Sequence, residues 1–167
     1  FGHDLDAMRA AVTNETRLVF VANPNNPTGT FIPAEKIHSF IQSVPPSVVV
    51  VLDEAYVDFA REHAMTLALK HPHVLVSRTF SKAYGLAGLR VGYAVSSPDI
   101  ADVLNRVRQP FNVNLPALEG ALAVIVARPG GAGGSVAQAL QALAARERMT
   151  ATLLTALSER APSKLAS

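Results

Sequence analysis

The chain has 167 residues and a formal net charge of +2, from fifteen Lys and Arg against thirteen Asp and Glu. Apolar residues make up 49% of it and charged residues 17%, which favours one globular domain over intrinsic disorder. The small charge excess gives no reason to expect a nucleic-acid partner, and the absence of cysteine excludes disulfides, thiolate metal sites and cysteine nucleophiles.

Strand patterns and helix patterns alternate along the sequence. Short apolar runs rich in β-branched residues predict strands over residues 17–22, 47–52, 74–76 and 90–95. Apolar periodicity predicts helices over residues 33–43, 65–70 and 97–108, a further helix from Pro116, and a long one over 136–157. This order is typical of an α/β layer fold.

The valine-rich second strand indicates a parallel sheet that is buried on both faces. The interval between the third and fourth strands is too short for an ordinary crossover helix. We therefore expect the fourth strand to run antiparallel to the third or to lie elsewhere in the sheet. No apolar run approaches the length of a membrane span, and no secretory signal pattern is visible, so the expected protein is a cytoplasmic enzyme without a membrane partner.

Three polar clusters follow the first three predicted strands, at the carboxyl ends where ligands gather in such sheets. The first is Asn-Pro-Asn-Asn-Pro-Thr-Gly over residues 23–29. Its composition is also that of an ordinary turn, in which Gly29 permits a positive φ. The cluster alone therefore does not decide between a turn and a binding loop.

The second cluster is Asp-Glu-Ala-Tyr over residues 53–56. Neighbouring side chains on an extended chain point to opposite faces, so Asp53 and Glu54 cannot act as one acid–base pair. We expect Asp53 to face a cationic ligand atom, with Glu54 packing or capping elsewhere. Helix capping by Asp53 is an equally good interpretation of this cluster.

The third cluster spans residues 77–90 and contains Ser81, Lys82 and Arg90 in a loop of small residues between two apolar strands. Such cations are equally expected as solvated surface charges. Their position between apolar strands favours a partner, since an unpaired charge there would be costly. His71 and His73 precede a strand without an acidic third ligand, so we interpret them as loop residues and predict no metal site.

Taken together and in this order, the three clusters resemble the fold type I pyridoxal-phosphate aminotransferases of class I and II. The resemblance rests on three motifs: residues 26–29 (Asn-Pro-Thr-Gly), residues 53–56 (Asp-Glu-Ala-Tyr) and residues 81–90, a segment that begins with Ser-Lys and ends with Arg. The sequences of these motifs are most similar to those of the histidinol-phosphate aminotransferase branch, and so is the segment Gln-Pro-Phe-Asn-Val-Asn over residues 109–114. The resemblance extends from residue 1 to about residue 120.

The resemblance implies a pyridoxal 5'-phosphate site and a role for each matching residue. Lys82 would carry the cofactor as a Schiff base and move the substrate proton, and Asp53 would pair with the pyridine nitrogen. The remaining expected contacts are Asn26 and Tyr56 to the phenolic oxygen, and Thr79, Ser81 and Arg90 to the phosphate.

The resemblance also implies a part of a three-layer αβα large domain with a mostly parallel sheet. We expect its core at residues 1–125, a Gly-rich connector at 126–135, and a helix and tail at 136–167 that begin an incomplete small domain. The implied reaction is amino transfer from histidinol phosphate to 2-oxoglutarate in a homodimer. The implied alternatives are another class I or II aminotransferase, a phospho-amino-acid decarboxylase, or a catalytically inactive truncated form.

Overall fold

A computed structural model describes residues 2–127 of the chain. Its strands are β1 (Leu18–Ala22), β2 (Val49–Asp53), β3 (Val74–Thr79) and β4 (Gly92–Ser96). Its helices are α1 (Leu5–Ala10), α2 (Ala34–Ser43), α3 (Met65–Lys70), α4 (Pro98–Val107) and α5 (Leu115–Ala127). Beyond the last residues of α5, the predicted connector and the predicted helix over 136–157 lie outside the described residues.

Every strand and helix predicted within the described residues is present, with ends shifted by a few residues. Ser97 caps α4 by accepting a hydrogen bond from the Ile100 N–H, and Pro98 occupies the first helical turn. Three short elements were not predicted: α1 and the 3-10 turns Val57–Phe59 and Ala87–Leu89. The two 3-10 turns have three residues each, too few to show a periodicity, and α1 buries none of its residues, so it lacks a clear apolar pattern.

The four strands form one sheet in the order β1-β2-β3-β4. β1, β2 and β3 run parallel, and β4 runs antiparallel to β3. The α/β class, the mostly parallel sheet and the reversed fourth strand are thus as predicted. The reversal follows from the short β3–β4 connection, which has no room for a crossover helix.

The two faces of the sheet differ in burial. One face carries Val21, Leu52 and Val76, which are fully or almost fully buried and belong to the main core with residues of α2 and α3. The alternating positions of β1 place Leu18 and Phe20 on the opposite face, where they are 54% and 63% exposed. Within residues 2–127, no helix has the length and apolar character that a membrane span requires.

Candidate functional site

The three polar clusters meet at one edge of the sheet. Because β1, β2 and β3 are parallel, their carboxyl ends lie side by side, and the register pairs Asp53 with Ala22 on one side and with Ser77 on the other. Asp53 therefore stands between the loop that follows β1 and the loop that follows β3. This arrangement confirms the expected position of the clusters.

The loop after β1 is shaped by Asn23, which is buried. Its side-chain amide donates to the Ile32 carbonyl at 2.8 Å and accepts from the Ile32 N–H at 2.8 Å. Gly29 has the positive φ, +69°, that the sequence predicted. The closed loop leaves Asn26 exposed, and its Nδ2 lies 3.2 Å from the Tyr56 hydroxyl as a donor.

Lys82 also contacts Tyr56. Its Nζ is 5.1 Å from the centroid of the Tyr56 ring, within the range of a cation–π contact. The structure thus brings Asn26, Tyr56 and Lys82 into one group, although they come from three different loops. Lys82 is exposed, so its amine can be reached from solvent.

Asp53 ends β2 with its side chain exposed. One carboxylate oxygen, Oδ1, accepts a hydrogen bond from the Ala55 N–H at 2.9 Å. This bond fixes the orientation of the carboxylate and leaves the second oxygen available to a cation. The sequence left open whether Asp53 caps a helix. It does not cap the element that follows, the short 3-10 turn Val57–Phe59, because the N-cap residue of that turn is Tyr56.

Thr79, Ser81 and Arg90 form a second group at the end of β3. The Ser81 N–H donates to Thr79 Oγ1 at 3.0 Å, and Arg90 Nη1 donates to Ser81 Oγ at 3.2 Å. Arg90 has a φ of +52°, in the left-handed region that a side chain of its size rarely adopts. Strained backbone of this kind clusters at binding and catalytic sites, where the surrounding structure holds it in place.

An open cleft of about 400 Å³ adjoins Asn26 and Tyr56 and has Phe31 and Phe59 in its walls. A larger cleft of about 800 Å³ is lined by residues around α1 and α2 and contains none of the predicted site residues. Among residues 2–127 no group of three or more His, Asp or Glu side chains is arranged to hold a metal ion. The predicted site residues at the carboxyl edge present an amide, a phenol, an amine, hydroxyl groups, a guanidinium and the Asp53 carboxylate.

Two interactions near the site were not predicted from the sequence. The Tyr84 hydroxyl donates to Asp58 Oδ1 at 3.1 Å, and burial together with the Asp58 carboxylate raises the pKa of the Tyr84 phenol well above its usual range. Glu54 and Arg78 form a buried ion pair. The sequence carried a signal for the burial of Arg78, which shares the alternation of the buried residues Val74 and Val76, but none for its pairing with Glu54.

The family model for aminotransferases of class I and II matches residues 1–163 of the chain. Histidinol-phosphate aminotransferase 1 of Cupriavidus pinatubonensis is 58% identical over 129 residues, which are 75% of this chain and 34% of that protein. Histidinol-phosphate aminotransferase 2 of Pseudomonas aeruginosa is 60% identical over 129 residues, or 75% of this chain and 35% of that protein. The chain thus spans about a third of the length of the curated relatives it matches.

Solved structures agree with the sequence matches. Histidinol-phosphate aminotransferase from Sinorhizobium meliloti, crystallised with pyridoxal-5'-phosphate, has a TM-score of 0.67 and 40% identity over 71% of this chain and 34% of its own. L-threonine-O-3-phosphate decarboxylase from Porphyromonas gingivalis has a TM-score of 0.64 and 30% identity over 72% of this chain and 37% of its own. These likenesses confirm the predicted fold class, a part of an αβα large domain.

Proposed function

The chain belongs to the class I and II aminotransferase family, and from this we propose that it serves pyridoxal-phosphate-dependent amino transfer. The proposed reactants are histidinol phosphate and 2-oxoglutarate, and the proposed products are imidazole acetol phosphate and glutamate, a step of histidine biosynthesis. Relatives named for this activity, at 58% and 60% identity, support the choice of substrate.

One observation carries the proposal: an exposed lysine, two hydrogen-bonding side chains, a carboxylate and a hydroxyl–guanidinium group share one edge of the sheet. This donor set fits pyridoxal 5'-phosphate. A guanidinium with two hydroxyls matches a dianionic phosphate, and a carboxylate matches a protonated ring nitrogen. When bound, the cofactor supplies a ring that stabilises negative charge on the substrate carbon.

Different residues of the chain would hold the phosphate and the ring nitrogen of the cofactor. Arg90, with Ser81 and Thr79 beside it, binds the phosphate and so anchors one end of the cofactor. Asp53, oriented by the Ala55 N–H, holds a proton on the ring nitrogen through charge pairing.

Asn26 and Tyr56, which lie 3.2 Å apart between Nδ2 and the hydroxyl, would donate hydrogen bonds to the phenolic oxygen of the cofactor and stabilise it as an anion. Lys82 provides the covalent attachment point at Nζ and, once released, an amine that takes up and returns the substrate proton. Its contact with the Tyr56 ring keeps that amine next to the two donor groups, the Asn26 amide nitrogen and the Tyr56 hydroxyl.

An absorbance scan of the purified chain with pyridoxal 5'-phosphate, before and after borohydride, tests the proposal. We expect a visible band in the wild-type chain and in Lys70→Ala but not in Lys82→Ala. Borohydride reduces the C=N bond and so removes the band, and it should leave the cofactor covalently attached to the first two chains only. Lys70 is the matched control because it is an exposed lysine at the end of α3. Equal bands in all three proteins, or none in the wild type, contradict the proposal and favour a catalytically inactive form.

A second candidate is decarboxylation of a phosphorylated amino acid. It is favoured by the 30% identity to L-threonine-O-3-phosphate decarboxylase over 72% of this chain. Release of CO₂ from threonine phosphate supports this candidate, whereas formation of glutamate from 2-oxoglutarate and histidinol phosphate supports amino transfer.

A cytoplasmic location and a homodimer complete the proposal. Both come from the resemblance to biosynthetic aminotransferases. The apolar side chains of Val107 and Phe111, which are 73% and 97% exposed, support a subunit contact at the end of α4.

A further inference from the structure

A buried ion pair lies directly behind the candidate site. Arg78 Nη2 is 2.7 Å from Glu54 Oε2, and Arg78 Nε donates to the same oxygen at 2.8 Å. The two side chains are only 4% and 2% exposed. The second Glu54 oxygen, Oε1, accepts a hydrogen bond from the Ala64 N–H at the start of α3. The Arg78 guanidinium also donates a hydrogen bond to the hydroxyl oxygen of Tyr93 on β4, and burial raises the pKa of the Tyr93 phenol to about 12.

Each member of the pair is the chain neighbour of a proposed cofactor contact. Glu54 follows Asp53, and Arg78 precedes Thr79. Because side chains alternate along a strand, the pair points to the buried face while Asp53 and Thr79 point to the opposite one. The Glu54 N–H also donates to the Ser77 carbonyl at 2.9 Å, which continues the β2–β3 ladder to this point. The pair therefore joins the ends of β2, β3 and α3 behind the site.

Stability alone does not account for such a pair. Two charges removed from water lose hydration that their attraction only partly restores, and apolar residues of similar volume often replace buried pairs without loss of stability. Apolar residues cannot reproduce the directional contacts of this pair. One oxygen of the Glu54 carboxylate binds the Arg78 guanidinium, and the other accepts from the Ala64 N–H.

We propose that Glu54 and Arg78 are positioning residues, which fix the spacing between Asp53 at the end of β2 and Thr79 at the end of β3. The proposal rests on the proposed function, since that spacing is the one between a ring-nitrogen contact and a phosphate contact. Neither residue touches the cofactor; both act through the backbone of their neighbours.

Two backbone amides report the positions of these contacts without any cofactor. The Ala55 N–H donates to Asp53 Oδ1 at 2.9 Å, and the Ser81 N–H donates to Thr79 Oγ1 at 3.0 Å. A matched control lies at the opposite end of the same two strands, where the Val50 N–H donates to the His73 carbonyl at 2.9 Å.

The test is amide hydrogen exchange measured by NMR on the wild-type chain and on the double variant E54L/R78M, which replaces the pair by apolar side chains. We expect Val50 exchange close to that of the wild type, while the Ala55 and Ser81 amides exchange about tenfold faster. The same factor at all three amides, or no change at any of them, overturns the proposal, because the pair would then be only a packing element.

If the double variant does not fold, the same exchange measurement is made on Glu54→Gln. Glutamine retains the shape and an acceptor oxygen for the Ala64 N–H but loses the charge that holds Arg78. We again expect faster exchange at Ala55 and Ser81 than at Val50, and uniform exchange again overturns the proposal.

A cofactor titration separates this inference from the proposed function. With pyridoxal 5'-phosphate as the probe, we expect about tenfold weaker binding by Glu54→Gln, with borohydride still fixing the cofactor at Lys82. A wild-type chain that binds no cofactor contradicts the proposed function, whereas the exchange measurement still decides the positioning role. Unchanged affinity in Glu54→Gln counts against positioning and leaves the Lys82 result intact.

Discussion

The two faces of the sheet use charge in opposite ways at the carboxyl edge. On one face Glu54 and Arg78 are buried and paired with each other. On the other, Asp53 is exposed, and the loops that follow β1 and β3 present Asn26 and Lys82 to solvent. Residues that are adjacent in the chain thus serve different purposes, because one lies on the packed face and the next on the open one. The Asp-Glu motif therefore places a proposed binding group, Asp53, directly beside a buried and paired group, Glu54.

Removing one partner of the buried pair is expected to have the largest effect on stability. Arg78→Met leaves the Glu54 carboxylate buried without its counter-charge, which we expect to lower the free energy of unfolding by about 3–5 kcal/mol. The matched control is the exposed pair Asp102–Arg106, whose side chains are 67% and 68% exposed.

Asp102→Ala removes that exposed pair, and we expect a change within about 0.5 kcal/mol. Urea unfolding monitored by circular dichroism measures both variants. Similar effects in the two would contradict the claim that burial distinguishes the pairs.

Truncation of apolar side chains tests the same contrast without charge. Ile41 on α2 is fully buried in the main core, and we expect Ile41→Ala to cost about 2–5 kcal/mol of unfolding free energy. Leu18→Ala on the open face should cost below about 1 kcal/mol. A larger loss for Leu18 than for Ile41 in urea unfolding would show that the open face is covered in solution.

A smaller effect is expected at the opposite edge of the sheet, where His71 lies between His38 and His73. The ring centroids are 5.1 Å apart for His38 and His71 and 5.9 Å apart for His71 and His73. Burial, together with these neighbours and Lys70, lowers the pKa of His71 below its usual 6.5.

The folded chain therefore binds a proton at His71 less readily than the unfolded chain does. Stability should fall as the pH drops below about 6.5, because protonation then favours the unfolded state. His71→Gln removes this contribution. Urea midpoints measured between pH 7.5 and pH 5.5 should vary less for the variant, and an unchanged pH dependence would contradict the account.

Most of the fold was predictable because its signals are local. The valine run of β2, the proline at the start of α4 and the short connection before β4 each specify one element or one direction. The site clusters were predictable for the same reason, since each follows a strand that the sequence indicates.

What the sequence could not supply is the pairing between distant residues. Nothing near Glu54 in the chain identifies Arg78, twenty-four positions away, as its partner, and only the β2–β3 register brings them together. The same is true of Asn26 with Tyr56, and of Tyr84 with Asp58. Side-chain contacts across strands depend on the completed sheet, which local patterns do not encode.

The residue to which pyridoxal 5'-phosphate attaches tests the proposed cofactor site most directly. The wild-type chain is incubated with the cofactor, reduced with borohydride, digested and mapped by mass spectrometry. We expect the added mass on the peptide that contains Lys82, and none on the peptides that contain Lys36 or Lys70. Modification spread equally over the three lysines, or absent from Lys82, would contradict the claim that this edge of the sheet is a cofactor site.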